Sequence, residues 1–353
     1  MNKEEIMIKN NLIYALKDGK LTHISEVESG LNCACICPSC GESLVAKKGN
    51  RMIHHFAHKA NSECIYGYQT SLHLLAKDIL LEEKRILLPK VQINFYAHDG
   101  SHKEVEISNE KFLELDNVVL EKKQGEIIPD VIAYCGNKKL YIEIYVTHKI
   151  DDNKRNRIIK DDVSTIEIDL SEVDRYISKD MLKKILLEET AQKQWIYNSV
   201  ENKWYKKFIN DADSFEMKGS RINNCPIRTR VDKHGNPYAV FIKDCIYCEY
   251  CVDVIRDQEG FNLGIKCTGA KRISEISDYS KTINERIAIS NQKLYEMRIE
   301  DLSKGLCPFC LTELVKRVGK YGVFYACSNY SYCNFTYSID EETGELKCKY
   351  QLL

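Results

Sequence analysis

A chain of 353 residues, 44% hydrophobic and 29% charged, has the composition of an ordinary soluble globular protein and is long enough for two or three compact units. Its 51 basic and 52 acidic side chains leave a formal charge of −1, so any affinity for nucleic acid has to come from local patches. No apolar run is long enough to span a bilayer and the polar start Met1-Asn2-Lys3-Glu4-Glu5 is no secretion signal, so the expectation is a cytoplasmic protein with no membrane partner.

Residues 1–65 read as a short hairpin around Asp18-Gly19 followed by a zinc knuckle. The chain holds 16 cysteines, many in CxxC pairs, which without an export signal points to metal binding rather than disulfides. Cys37-x-x-Cys40 and His55-x-x-His58 have the spacing of a mixed zinc site, with Lys47, Lys48 and Arg51 on the turn-rich excursion between them. His54 and Cys64 are rival ligands, while Cys33 and Cys35 read as bystanders.

Residues 66–175 read as an α/β domain: a helix, strands, a hairpin, a helix capped near Asp151 or Asp152, and the strand Thr165-Ile166-Glu167-Ile168-Asp169-Leu170. On the first helix, His73 and Lys77 are i, i+4 neighbours suited to a phosphate, or else a solvated face opposite Leu72, Leu75 and Ile79. In the last strand Ile166, Ile168 and Leu170 are expected to face the core and Glu167 and Asp169 to face outward.

The hairpin is the most informative stretch. Cys135 and Lys138 flank Gly136-Asn137, a sequence suited to a type II′ turn, and pairing outward from it sets Ile132 opposite Tyr141 and Asp130 opposite Glu143. Opposed side chains have Cβ atoms about 4.5–5.5 Å apart, so two acids there are destabilising unless a cation lies between them. A divalent metal fits, because magnesium takes one or two carboxylates and keeps its other positions for water and substrate oxygens. A surface hairpin with a chance acid pair is the plain alternative. Strand alternation sets His148 on the opposite face from Glu143.

Residues 176–215 read as a helical connector whose Trp195, Tyr197, Trp204 and Tyr205 form a packing stripe. Residues 216–272 form a middle cysteine-rich module with five thiols for four tetrahedral positions. The preferred zinc set is Cys225, Cys245, Cys248 and Cys267, with Cys251 packed inside; iron–sulfur ligation is the alternative, less favoured by the hairpin-like spacing. A helix over 273–304 leads to residues 305–353, where Cys307-Pro308-Phe309-Cys310 is followed by Cys327 and Cys333. Four thiolates there satisfy a structural zinc. Lys316, Arg317 and Lys320 can meet phosphates while Tyr321, Phe324, Tyr325, Tyr330 or Phe335 offer faces to bases, some of them being needed for the small core instead.

Two resemblances rest on these residues. Pro129-Asp130, the hairpin and Glu143-x-Tyr145 resemble the PD-(D/E)xK nuclease core, and the order Cys37-Pro-Ser-Cys40, His55-Phe-Ala-His58, Glu143-Ile-Tyr-Val-Thr-His148 resembles the CoiA-like competence protein family over roughly residues 10–175. That implies a restriction-endonuclease-like α/β core with an N-terminal zinc knuckle, acting on DNA handled in uptake and recombination. Two positions depart from the pattern. Tyr145 stands where lysine is usual, so Lys154 from the next helix is the substitute cation. Gln69 stands where relatives often carry a glutamate. Residues 305–353 are similar to the C4 zinc ribbon of bacterial type IA topoisomerases, which implies binding to single-stranded DNA.

The expectation is thus a metal-dependent DNA nuclease for single-stranded or branched DNA in uptake, recombination or defence, with structural Zn²⁺ and catalytic Mg²⁺ or Mn²⁺. Asp130, Glu143 and the Ile144 carbonyl would hold the catalytic metal, Tyr145 would orient water and Lys154 would offset the developing charge. The alternative is a single-strand-binding adaptor that has lost turnover and recruits a recombination partner.

Overall fold

The computed structural model describes residues 12–59, 64, 66–96, 102–147, 149–174, 176–340, 342–348 and 352. Its fold is mixed α/β and divides into two compact units, 1–91 with 108–202 and 92–107 with 203–353. This partition differs from a simple chain-order division: the hairpin Val91–Tyr96/His102–Ser108 lies mostly in the second unit. Its Ile93, Phe95 and Val105 pack with Phe208, Val252 and Ile273, so apolar burial assigns it there.

In the first unit the hairpin Tyr14–Lys17/Lys20–His23 precedes the knuckle strands β1 (Leu44–Lys47) and β2 (His55–His58). Helix α1 (Gly67–Glu83) buries Leu72, Leu75, Ala76, Ile79 and Leu80 along one stripe. It begins at a glycine for a steric reason: a Cβ on Gly67 would meet Cys37 Sγ at 3.2 Å and Leu12 at the same distance. The helix start is therefore seated directly on the knuckle.

Five strands form the main sheet: β3 (Asn117–Leu120), β4 (Val131–Cys135), β5 (Lys138–Tyr145), β6 (Thr165–Asp169) and β7 (Lys193–Tyr197), in the order β7-β6-β5-β4-β3. β3, β4 and β5 are an antiparallel meander, and helix α2 (Asp152–Asp161) makes the crossover to β6, which lies parallel to β5. Val131, Ala133, Ile142, Ile144, Ile166 and Ile168 pack with the α1 stripe and with helix α3 (Lys179–Glu188). Ile132, Tyr141 and Tyr197 pack with Ile158 of α2 in a second core. With both faces apolar and covered, the strands read as near-continuous hydrophobic runs.

That second covered face corrects two expectations. Glu167 does not point outward but is buried, because α2 roofs its side of the sheet. The run 176–215 is not one helix, since Trp195 and Tyr197 lie on β7 and only Trp204 and Tyr205 lie on helix α4 (Ser199–Asp211). An amphipathic period and a strand alternation overlap in so short a segment, and pairing with β6 decides it.

The second unit carries a six-stranded sheet built from β8 (Asp213–Lys218), β9 (Arg221–Asn223), β10 (Arg230–Val231), β11 (Pro237–Val240), β12 (Cys251–Arg256) and β13 (Asn262–Cys267), in the order β10-β11-β9-β8-β13-β12. Helix α5 (Ile283–Ser303) starts from a capping box made by Thr282 and Glu285. It leads to a four-stranded antiparallel ribbon, β14 (Leu314–Gly319), β15 (Gly322–Cys327), β16 (Thr336–Ile339) and β17 (Leu346–Cys348). Buried Arg230 ties the ribbon to the six-stranded sheet: it donates to Asp244 at 3.1 Å, to Asp301 at 2.9 Å and to the carbonyl of Pro308 at 3.1 Å. Among the described residues no helix is long and apolar enough to cross a membrane.

Candidate functional site

The β4–β5 hairpin turns at Gly136, whose φ of +55° belongs to the left-handed region, while Asn137 stays outside it. That is the pattern of a type II′ turn and it sets the register Ile132↔Tyr141 and Val131↔Ile142. One step further out, Asp130 lies level with Glu143. Its Oδ2 accepts from Ile144 N–H at 2.9 Å, which anchors the acid to the edge of β5.

Two helices bring basic groups to this pair. His73, on α1, places Nε2 3.0 Å from Asp130 Oδ2. Lys154, in the first turn of α2, donates from Nζ to Glu143 Oε2 at 2.7 Å. The helix is aimed by its N-cap, since Asp151 accepts from Lys154 N–H at 2.6 Å. Thr147 donates to Gln69 Oε1 at 3.2 Å. Tyr145 is half-buried at the end of β5, with Lys149 Nζ 5.3 Å from its ring centre. His148 lies outside the described residues.

The two carboxyls titrate in opposite directions. Burial pushes Glu143 up to about 7, with the neighbouring Asp130 adding to the rise and Lys154 opposing it. Burial also acts to raise Asp130, but the hydrogen bond and charge of His73 and the Ile144 amide outweigh it and hold this carboxyl below its ordinary range. Glu143 is only 4% exposed, and its Oε1 is buried without a hydrogen-bond partner among the described residues. An orphaned carboxylate oxygen beside a second acid fits a divalent cation, whose hard oxygen preference matches this donor set.

Lys77 does not join this site. It is 2% exposed and forms an ion pair with Glu121, so it cannot meet a phosphate. One helical turn separates His73, at the solvent edge, from Lys77, which lies under β3. Glu167, by contrast, lies beside Glu143 in the β5–β6 register and is held by Gln194 at 2.6 Å and by Ile150 N–H at 3.4 Å. The parallel register that places it there is set by the crossover, which no local pattern announces.

At the knuckle, Cys37, Cys40, His58 and Cys64 offer ligand atoms that all lie within 4.8 Å of one another. His55 is not among them: its Nδ1 faces the Ile53 carbonyl at 2.8 Å. The reason is strand geometry, since on β2 residues 55 and 58 point to opposite faces, and an HxxH pair shares a face only on a helix. Cys64 supplies the fourth position, with its sulfur 3.8 Å from that of Cys37. Cys33 and Cys35 are buried and bond to backbone carbonyls.

Cys307, Cys310, Cys327 and Cys333 form the second such group. The two knuckles are built alike. Gly41 and Leu311 both donate to the carbonyl of the first cysteine, at 2.9 and 2.8 Å, and both have positive φ, +73° and +61°. Three thiols with an imidazole, and four thiols, are donor sets for a structural zinc. On the ribbon Lys316, Arg317 and Lys320 are exposed, Tyr321 is 94% and Tyr330 73% exposed, and Phe324 is half-buried over Gly319. Phe335 and Phe309 fill the core, and Tyr325 stacks on Tyr337 with centroids 4.9 Å apart. Tyr332, exposed beside Tyr330, is a further aromatic that the Tyr-Ser-Tyr run already carries.

The middle thiols behave differently. Cys225, Cys245, Cys248, Cys251 and Cys267 line one pocket, but among the described residues no three of them draw within 4.8 Å as the other two groups do. The expected set Cys225, Cys245, Cys248 and Cys267 is thus not drawn together as the other two are, and Cys251, the strand partner of Cys267, lines the same pocket.

Comparison with known proteins accords with the two closed clusters. Residues 21–67 match the model of the competence protein CoiA N-terminal domain, and residues 304–342 match that of the topoisomerase DNA binding C4 zinc finger. The chain is similar to DNA topoisomerase 1 of Rickettsia bellii, 36% identical over 95 residues, 25% of this chain and 11% of that protein. DNA topoisomerase 1 of Rickettsia prowazekii is 36% identical over 81 residues, 23% of this chain and 9% of that protein. That of Methanothermobacter thermautotrophicus is 49% identical over 37 residues, 10% and 5% respectively. The chain thus spans about a tenth or less of the length of these relatives. No solved structure matches it.

Proposed function

We propose that the protein is a metal-dependent DNA nuclease of PD-(D/E)xK type whose ribbon holds single-stranded DNA. The observation that carries this reading is the opposed pair Asp130 and Glu143, with the buried Glu143 Oε1 unpartnered and Lys154 on the other oxygen. Asp130, Glu143 and the Ile144 carbonyl would hold one Mg²⁺ or Mn²⁺. When bound, such an ion acidifies a water and screens the phosphate. Lys154 offsets negative charge as it develops on the phosphoryl oxygens, Tyr145 orients the attacking water, and His73 keeps Asp130 ionised. Lys316, Arg317 and Lys320 meet phosphates, and Tyr321 and Tyr330 stack on bases. The CoiA-type and topoisomerase-type matches support a DNA-related role for both ends of the chain.

The test is cleavage of single-stranded, duplex and branched DNA with Mn²⁺. Asp130→Asn and Glu143→Gln are each expected to abolish cutting with DNA binding nearly unchanged; cutting by both variants would sink the assignment. A second reading, an adaptor that binds single strands and delivers them to a recombination partner, is favoured by the uncharged Gln69 and Tyr145 beside the acids. Absence of cutting by the wild-type chain on every substrate selects it.

A further inference from the structure

Within the second unit, the ribbon and the six-stranded sheet are joined along one edge of that sheet, the pair β10–β11. Arg230 of β10 donates to Asp301 and to the Pro308 carbonyl. Its neighbour Val231 packs against the ribbon core around Cys307, Phe309 and Phe335. On β11, the Tyr238 hydroxyl donates to the Phe309 carbonyl at 3.2 Å. Pro308 and Phe309 stand between the first two cysteines of the ribbon, so this edge of the sheet grips the ribbon at its first cysteine loop.

The turn between β10 and β11 is held in shape by Asp232. Its carboxylate accepts from the backbone N–H groups of His234 at 2.9 Å and Asn236 at 3.0 Å, and from the side chains of Asn236 and Arg221, both at 3.3 Å. With its acid engaged in this way, the turn presents Lys233 and His234 to solvent. Lys233 stands over the ring of Tyr332, its Nζ 5.6 Å from the ring centre. Tyr332 belongs to the ribbon, next to Cys333, and is 72% exposed, so most of the ring stays open with the lysine in place.

This pair repeats an arrangement that the ribbon makes by itself. At the tip of the β14–β15 hairpin, Lys320 Nζ lies 5.5 Å from the ring centre of Tyr321. A lysine beside an exposed ring offers a phosphate contact and a stacking face together, the combination that holds a single strand whatever its sequence. The two pairs lie at opposite ends of the hairpin, since Cys333 closes on Cys327 at the end of β15. Strands of six residues separate those ends, about 20 Å at about 3.3 Å per residue. Lys320 and Tyr321 both fall within residues 304–342, which match the topoisomerase finger, whereas the second pair is completed by Lys233, which lies outside that match.

We infer that the β10–β11 turn extends the DNA surface of the ribbon, with Lys233 meeting a phosphate and Tyr332 stacking on a base of the same single strand. The inference rests on the reading of the ribbon as a single-strand binder and is independent of cleavage. The experiment is fluorescence titration of the full chain with single-stranded oligothymidine over a range of salt, without added divalent cation. Lys233→Ala is expected to lower the slope of log affinity against log salt by about 0.7, the value for one phosphate contact on a single strand. Tyr332→Ala should weaken binding by about fivefold to a hundredfold, the loss of one stacked base, while Tyr332→Phe keeps it. Melting temperatures should stay those of the wild type, because both side chains are exposed. The control is Lys218→Ala, which removes an exposed lysine of β8, two strands away from β11 in the same sheet, and should leave the slope unchanged. An equal fall in slope for Lys218→Ala and Lys233→Ala reduces the effect to overall charge and overturns the inference. So does binding that weakens in Tyr321→Ala or Tyr330→Ala but in neither Lys233→Ala nor Tyr332→Ala, which leaves the ribbon as the single-strand site by itself. If none of the four variants changes binding, the reading of the ribbon falls and this inference falls with it.

Discussion

Lys154 and Glu143 share only half of a carboxylate: Lys154 Nζ lies 2.7 Å from Oε2, while Oε1 of the same group is buried without a partner among the described residues. A lysine that served only to neutralise a buried acid would leave nothing further for that acid to do. With Oε1 directed to a metal, Lys154 instead becomes free to act on phosphate oxygens. Lys154→Ala is therefore expected to slow single-turnover cleavage by about 10²–10³, the scale of losing one preorganised charge donor, with DNA affinity changed less than about threefold. Equal loss of binding and cleavage would assign Lys154 to substrate contact.

The same orphaned oxygen predicts a response that needs no DNA. A cation that binds the folded site and not the unfolded chain adds about 2.7 kcal/mol at a hundredfold excess over its Kd. Mn²⁺ should raise the melting temperature of the wild-type protein and leave Asp130→Asn and Glu143→Gln unmoved, as read by calorimetry. A shift of equal size in all three would place the ion elsewhere.

The knuckle offers a contrast between two residues nine positions apart. Cys64 sits in the ligand group and His55 outside it, so Cys64→Ser should cost about one zinc per chain and several kcal/mol of stability, whereas His55→Ala should keep the metal and change stability by less than about 0.5 kcal/mol. Zinc counted on the purified variants checks both. Loss of metal from His55→Ala would restore the HxxH pair.

What was readable in the chain follows from how local each determinant is. The Asp130–Glu143 register was legible because a two-residue turn at Gly136-Asn137 fixes the pairing of every residue outward from it. The ribbon was legible for the same reason, its four ligands flanking one hairpin. Glu167 was misread as outward because its burial depends on α2 crossing over the sheet, a relationship over distance. His55 was misread because HxxH spacing has one meaning on a helix and another on β2. Chain order alone groups the hairpin at 91–108 with its neighbours, whereas its apolar face packs with residues more than a hundred positions later.

Lys77 tests whether burial or charge governs a residue that sequence pattern alone assigns to DNA. Its amine is enclosed under β3 while its partner Glu121 remains largely in solvent. Lys77→Ala should therefore destabilise the first unit by about 2–5 kcal/mol, the range for emptying a buried long side chain. The slope of DNA affinity against salt should stay that of the wild type, because no phosphate contact is lost. A slope reduced by about one would return Lys77 to the DNA surface.

On the ribbon, exposure sorts the aromatics into two roles. Tyr321, at the tip of the β14–β15 turn, is 94% exposed and flanked by Lys320, whose Nζ lies 5.5 Å from its ring centre; Tyr330 is 73% exposed on the turn that carries the last cysteine. Neither ring can contribute much to the fold from such positions, and Lys316, Arg317 and Lys320 of the same ribbon are exposed as well. Tyr321→Ala and Tyr330→Ala are each expected to weaken single-strand binding by about 1–3 kcal/mol, with the melting temperature held and the salt slope unchanged. Phe335→Ala should do the reverse: its buried ring packs on Phe309 with centroids 5.2 Å apart, so its removal should cost about 3–5 kcal/mol of folding stability. Fluorescence titration with a single-stranded oligonucleotide and thermal melting of the same samples separate the two. Unchanged affinity in both tyrosine variants would turn the ribbon into a structural or protein-binding element.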